Sequence, residues 1–249
     1  MKTAQYFLDR KRMCCYMNFF NKKTVLFLLV FGQNVDIFSN VSEFFTVFSM
    51  YLKKPAEVGE IAPMSHAVSK ELVKHICALR AQDVHVARYY LEAGGGCGAV
   101  SLYIAQKLRL CDRLDVVEIN SEMCCILREK LGAYPNVFVH CCSILDWHPD
   151  YQYDAIISTL PFLSLGISFA QSTMKHFQKL ATKNCIVSCV EYPIAVAFRK
   201  IVHGLRIKDA NFIAVQEYMS LVRQEYLKEA AIVYYNVPPI NVYHLSFGE

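Results

Sequence analysis

The stretch Glu92-Ala-Gly-Gly-Gly-Cys-Gly98 is the main indication of the fold of this chain. It follows the apolar run Tyr89-Tyr-Leu91, which predicts a short strand, and it precedes Val100, Ile104 and Leu108, whose spacing predicts a helix. A strand, a glycine turn and a helix in this order bring backbone N–H groups close to a ligand. We therefore predict a cofactor site at the turn.

Two cofactor patterns fit this turn. Gly94, Gly96 and Ala99 fit G-x-G-x-x-A, the dinucleotide pattern. The turn of S-adenosylmethionine (SAM) methyltransferases, E-x-G-x-G-x-G, is fitted by Glu92, Gly94, Gly96 and Gly98. The carboxylate of Glu92 distinguishes between the two cofactors, because it would repel the pyrophosphate of a dinucleotide and attract the sulfonium and amino groups of SAM. We therefore expect SAM rather than NAD.

The next two predicted strands each end near a polar side chain. Glu118 closes the strand from Leu114 and stands 20 residues beyond Gly98, where a carboxylate accepts the ribose hydroxyls of a nucleoside. Ser143 follows the strand Val137–Cys141 and is the side chain expected to meet the adenine edge. Both residues are therefore predicted to bind the cofactor.

Two loops are expected to face the acceptor. The fourth predicted strand, Tyr153–Ser158, ends beside the cofactor in a doubly wound sheet, so the loop after it should face the transferable methyl group. Phe162 is expected to wall the acceptor pocket. The second loop precedes a predicted helix over residues 67–79, with Ser65 as its N-cap. The predicted substrate-loop residues are Pro63, Ser65, Thr159, Leu160, Pro161 and Phe162.

The remaining pattern predicts an α/β fold with a mostly parallel, doubly wound sheet. A fifth strand is expected over 185–191 and a helix over 211–227. Strands over 231–237 and 241–247 are expected to form a terminal antiparallel pair. We assign residues 55–249 to this domain and residues 1–54 to an N-terminal helical extension.

Composition agrees with that fold. Of the 249 residues 54% are apolar and 19% charged, which suits a sheet covered by helices on both faces. The net charge of +4 permits an anionic partner without demonstrating one. The 11 cysteines include no CxxC pair, so we predict no metal site and expect small thiols in a reducing cytoplasm.

The N-terminal extension has two interpretations. A helical period over residues 35–52 places Phe44, Phe45 and Phe48 on one face, and Lys53-Lys54-Pro55 ends it. This pattern fits a helix that lies in a membrane interface, and it also fits a helix packed on the domain. Residues 1–34 fit either a membrane-contacting leader or a tail without a role.

Four stretches resemble the bacterial phospholipid N-methyltransferases, which are class I SAM-dependent methyltransferases with a Rossmann-like fold. The stretches are 58–65, 91–98, 158–161 and 236–243. The resemblance implies that the glycine turn holds the methionyl part of SAM, that Glu118 holds its ribose, and that the first helix binds membrane. We therefore expect methylation of a phosphatidylethanolamine head group by a cytoplasmic protein, peripheral on the anionic inner face of the membrane. Met64, His66 and Ser143 depart from the residues usual in that family.

More distantly, the chain resembles the rRNA adenine dimethylases, whose acceptor loop reads Asn-Leu-Pro-Tyr. Thr159 replaces the asparagine, which removes an amide that would grip the adenine amine. An rRNA adenine N6-methyltransferase, with a nucleic acid partner, is therefore the alternative, and a non-catalytic SAM-binding membrane-surface module is the third reading. The catalytic base is unassigned, and the candidates are Glu60, His66, Glu191 and Tyr192.

Overall fold

The computed structural model describes residues 64–82, 85–191, 210–236 and 239–248. The predicted N-terminal extension, residues 1–54, lies outside this part of the chain. So do three of the predicted site residues, Glu60, Pro63 and Tyr192. Their assignments stay predictions.

The described strands form one seven-stranded sheet. The strands are β1 (Tyr89–Ala93), β2 (Arg113–Glu118), β3 (Val137–Cys141), β4 (Tyr153–Ser158), β5 (Ala181–Glu191), β6 (Leu227–Val233) and β7 (Ile240–Ser246). Their order across the sheet is β3-β2-β1-β4-β5-β7-β6. The first five are parallel, whereas β7 runs antiparallel to both β5 and β6. The predicted parallel sheet with a terminal antiparallel pair is therefore confirmed.

Helices cover both faces of the sheet. They are α1 (His66–Gln82), α2 (Ala99–Ala105), α3 (Ser121–Leu131), α4 (Phe162–Leu165), α5 (Ile167–Leu180) and α6 (Ala210–Tyr226). Alternate strand residues point to opposite faces. Tyr90 and Val116 accordingly pack with apolar residues of α1, α2 and α3, whereas Leu91 and Ile156 pack with those of α4, α5 and α6. Burial on both faces explains why the central strands are apolar throughout.

Two strands begin earlier than the pattern predicts. β6 begins at Leu227, directly after α6, rather than at residue 231, and β5 begins at Ala181 rather than at residue 185. β6 lies at the sheet edge and its first four residues are exposed, so they carry no apolar alternation. It pairs with β7 through backbone hydrogen bonds, which form with almost any side chain and so cannot be recognised in the sequence.

A buried carboxylate on β2 is bonded by four side chains. The Asp115 side chain on β2 is 0% exposed. Its oxygens bond to Arg113 Nη2 at 2.9 Å and His140 Nε2 at 2.7 Å, and they accept from the hydroxyls of Tyr151 at 2.8 Å and Tyr153 at 3.1 Å. Burial would raise the pKa of Asp115, but hydrogen bonds from His140, Arg113 and Tyr151 outweigh it and hold that pKa below its usual range. We call these five residues the Asp115 cluster.

Three other features of the described residues bear on the sequence predictions. None of the helices within them is long and apolar enough to cross a membrane. Within the same residues, no group of three His, Cys, Asp or Glu side chains is arranged to hold a metal ion. The described cysteines are free thiols, of which Cys97, Cys124, Cys185 and Cys189 are buried.

Candidate cofactor and acceptor site

The glycine turn lies where the strand order reverses. From β1 the sheet continues to β2 on one side and to β4 on the other, and ligands of open α/β sheets bind beyond the carboxyl ends of strands at such a point. A small cavity opens there. Its lining residues are Met64, Glu92, Gly94, Gly95, Cys97, Ala99, Val100 and Thr159. The cavity therefore combines residues of the glycine turn with residues from the loop after β4 and from the segment just before α1.

The backbone of the turn requires glycine at alternate positions. Gly94, Gly96 and Gly98 have φ values of 88°, 51° and 86°, a region that side chains with a Cβ rarely enter. The Gly94 N–H donates to the Val117 carbonyl at 2.8 Å, which ties the turn to β2. These are the three glycines of the E-x-G-x-G-x-G pattern, so its spacing reflects the backbone conformation.

Glu92 places a carboxylate beside the cavity. It is the fourth residue of β1, it is only 1% exposed, and it is among the residues that line the cavity. A carboxylate in such a low-dielectric wall attracts a positive ligand much more strongly than it would in water. The position therefore suits the cationic methionyl end of SAM, and it disfavours a pyrophosphate.

Glu118 joins the second strand to the turn. It is 7% exposed, and its two oxygens accept hydrogen bonds from the backbone N–H groups of Gly96 at 2.9 Å and Asn120 at 2.8 Å. Burial raises the pKa of Glu118, although these bonds oppose the shift. A carboxylate has about four lone-pair positions, so acceptor capacity remains for two ribose hydroxyls. The bond to Gly96 is a second role that the sequence pattern did not reveal.

Gly95 is required for close packing rather than for its backbone angle. A Cβ there would lie 2.5 Å from Val116 Cγ1 and 2.9 Å from Leu127 Cδ1. We expect Gly95→Ala to lower the free energy of unfolding by about 1–3 kcal/mol, as overpacked cores do, and to weaken SAM binding. Thermal unfolding and calorimetric titration measure the two effects. Adding Val116→Ala to the same protein should restore part of the stability, and failure to do so would show that the contact is not the cause.

Ser143 lies at the same edge of the sheet. The adjacent Cys142 N–H donates to the Glu118 carbonyl at 3.1 Å, and the Ser143 hydroxyl accepts from the Leu145 N–H at 3.2 Å. A hydroxyl that accepts one bond still has a hydrogen to donate. The predicted contact with adenine is therefore compatible with the local geometry.

The loop after β4 is bonded directly to the glycine turn. The Thr159 N–H donates to the Ala93 carbonyl at 3.0 Å, and its hydroxyl donates to the Gly94 carbonyl. Leu160 and Pro161 are half-buried after it. Phe162, however, is 5% exposed and packs into the apolar core with residues of α5 and α6. It is not among the residues that line the cavity at the glycine turn. Because Phe162 begins α4, its ring turns inward with the apolar face of that helix.

The entrance to α1 supplies residues that sequence reasoning missed. Met64 is 4% exposed and lines the cavity. Ser65 caps α1 as predicted, since its Oγ accepts from the Val68 N–H at 3.4 Å, and its own N–H donates to Asn236 Oδ1 at 2.9 Å. This last bond spans 171 residues, which is why no local pattern could have shown it.

The two described base candidates are both outside the cavity lining. Glu191 accepts from Arg223 Nη1 at 3.2 Å and from the Tyr243 hydroxyl at 3.3 Å, so its carboxylate is already bonded at both oxygens. His66 is exposed on α1 and packs edge-to-face on Tyr103, with ring centroids 5.0 Å apart.

Comparison with known proteins supports the class of site that the geometry indicates. No protein-family model matches the chain. A tRNA1(Val) (adenine(37)-N6)-methyltransferase of Aeromonas hydrophila is 30% identical over 109 residues, covering 41% of this chain and 46% of that protein. Its counterpart in Erwinia tasmaniensis is 26% identical over 108 residues, covering 41% and 44%. The chain therefore matches less than half the length of these relatives.

A solved structure extends the similarity to most of the chain. Magnesium protoporphyrin IX methyltransferase from Synechocystis, which was crystallised with S-adenosylhomocysteine, aligns with a TM-score of 0.53 at 13% identity, covering 83% of this chain and 94% of that one. Together with the observed strand order, these similarities confirm the predicted architecture. The chain has the fold of the class I SAM-dependent methyltransferases.

Proposed function

We propose that this protein is a SAM-dependent N-methyltransferase. The observation that carries the proposal is the meeting of three positive-φ glycines with the buried carboxylates of Glu92 and Glu118 at one switch point of the sheet. Bound SAM supplies a methyl group that its sulfonium charge already activates. The protein therefore has to bind, align and exclude water rather than create a reactive group.

The described residues divide this work between them. Glu92 faces the positive methionyl end of the cofactor, Glu118 accepts the ribose hydroxyls, and Ser143 donates toward the adenine. The hydroxyl bond from Thr159 to Gly94 ties the acceptor loop to the cofactor turn. A shift of either element therefore moves the other, which keeps the acceptor aligned with the methyl group.

The proposed acceptor is the exocyclic amine of an adenine in RNA. The relatives similar in sequence are named for transfer to adenine N6 of a tRNA. That amine is uncharged at neutral pH, whereas a lipid head-group amine, with a pKa near the value of about 10 for an alkyl amine, must first lose a proton. Because the Glu191 carboxylate is bonded to Arg223 and Tyr243, the described site suits an acceptor that needs no strong base.

An amine head group of a phospholipid is the second candidate. It is favoured by the bond between Ser65 and Asn236, which joins two of the stretches that resemble the phospholipid N-methyltransferases and does so beside the cavity. Under this reading the two segments would shape the head-group pocket together.

One parallel assay tests both candidates. The full chain is incubated with methyl-labelled SAM and, separately, with unmodified tRNA transcripts and with liposomes that contain phosphatidylethanolamine. We expect label in the RNA, recovered as N6-methyladenosine after nuclease digestion, and none with Glu92→Gln. Label in the lipid alone would select the second candidate. SAM binding without transfer to either acceptor would overturn the proposal and favour a non-catalytic SAM-binding module.

A further inference from the structure

The segment after β6 presents two neighbouring tyrosines to solvent. Tyr234 is 72% exposed and Tyr235 is 89% exposed. Neighbouring aromatic rings that are this exposed indicate a surface that binds a partner. The position of the two tyrosines in the fold indicates which kind of partner.

Strand pairing places this segment at the cofactor edge of the sheet. In the antiparallel pair of β5 and β7, Glu191 stands opposite Asn241, so β7 begins where β5 ends. Val233, the last residue of β6, stands opposite Ile240. The segment 234–236 therefore leaves the sheet at the edge where β1 and β4 also end, which is the edge that holds the cavity.

A hydrogen bond ties the segment to a residue beside the cavity. Asn236 is 3% exposed, and its Oδ1 accepts the Ser65 N–H at 2.9 Å. Ser65 directly follows Met64, which lines the cavity. The two tyrosines are thus the residues immediately before a fixed point at the cavity entrance.

An aromatic surface near the cofactor would help to hold a target adenine. Enzymes that modify a base take it out of its stack and hold it and its neighbours against aromatic rings. Phe162 in the acceptor loop does not offer its ring, because it is 5% exposed in the core. The large aromatic residues that are exposed in the described part of the chain are Tyr89, Phe138, Tyr234 and Tyr235.

Of these four residues, only Tyr234 and Tyr235 lie at the edge of the sheet that holds the cavity. Tyr89 is the first residue of β1 and Phe138 the second residue of β3, so both lie at the amino-terminal edge of the sheet, away from the cavity. Resting on the proposed function, we infer that Tyr234 and Tyr235 form a stacking platform for a base of the single-stranded RNA that carries the target adenine.

Binding to fluorescent RNA tests the platform independently of methyl transfer. The full chain is titrated into a single-stranded RNA in which 2-aminopurine flanks the target adenine, since stacking on a ring quenches that base. We expect saturable quenching. Tyr234→Ala and Tyr235→Ala should each weaken RNA binding by roughly 5- to 150-fold, the range for loss of one base–aromatic stack. Tyr234→Phe and Tyr235→Phe should bind nearly as the unsubstituted chain does, because they keep the ring.

Tyr89→Ala is the matched control, since it removes a tyrosine from the opposite edge of the sheet. It should leave RNA affinity unchanged, and SAM affinity should be equal in all of the variants. Quenching that the alanine variants retain in full would overturn the platform, and so would the absence of RNA binding by the unsubstituted chain. Loss of binding in Tyr89→Ala to the same extent would do so as well. The labelled-methyl assay decides the proposed function separately, because it detects transfer whether or not these tyrosines matter.

Discussion

Glu118→Ala is expected to weaken SAM binding by at least about 100-fold. The substitution removes the proposed acceptor for two ribose hydroxyls, and hydrogen bonds to a charged group contribute about 1.5–3 kcal/mol each. It also leaves the N–H groups of Gly96 and Asn120 without the carboxylate that accepts their hydrogen bonds, so the glycine turn keeps only its backbone bond from Gly94 to Val117 on β2. Isothermal titration with SAM measures the affinity, and circular dichroism shows whether the fold persists.

Two further variants make this result specific. Glu122→Ala removes an exposed carboxylate from the first turn of α3 and should bind SAM normally. Glu118→Gln keeps the size of the side chain but loses the charge. Because burial raises the pKa of Glu118, SAM affinity of the natural protein should fall on acidification at a higher pH than an ordinary glutamate would produce. Glu118→Gln should lack that pH dependence, and an identical pH profile would argue against a carboxylate at the ribose.

Asp115→Ala is expected to lower the free energy of unfolding by about 3–5 kcal/mol, the usual cost of removing one partner from a buried charged cluster. Its side chain is 0% exposed and is the shared acceptor of the Asp115 cluster. The substitution leaves the Arg113 guanidinium and the phenols of Tyr151 and Tyr153 without it. Chemical denaturation followed by circular dichroism measures the loss.

Acid should produce the same effect in the natural protein. The pKa of Asp115 is lowered in the folded state, so its contribution to stability is present above the unfolded value of about 3.9 and is lost as the pH falls toward the folded value. Asp115→Asn should flatten this part of the stability curve. Asp150→Ala, which removes an exposed acid near the same strands, should change stability by less than about 0.5 kcal/mol. A loss as large as that of Asp115→Ala would contradict the assignment.

The limits of β3 and β4 were predicted to the residue, because both strands contain a run of apolar residues. β6 was predicted about four residues late, because its first four residues, Leu227 to Ala230, are exposed and show no apolar alternation. The sequence also does not show which way the first turn of a helix faces, so it did not indicate that Phe162 is buried in the core.

The sequence alone determined the sheet, the glycine turn and the two carboxylates at its strand ends, because these follow from local spacing and from the rule that parallel strands end at one edge. Only the tertiary structure decided which side chains from distant segments join them. Met64 lines the cavity, and a hydrogen bond across 171 residues joins Asn236 to the neighbouring Ser65. Contacts at such separation depend on how the whole sheet is assembled, and no local pattern encodes them.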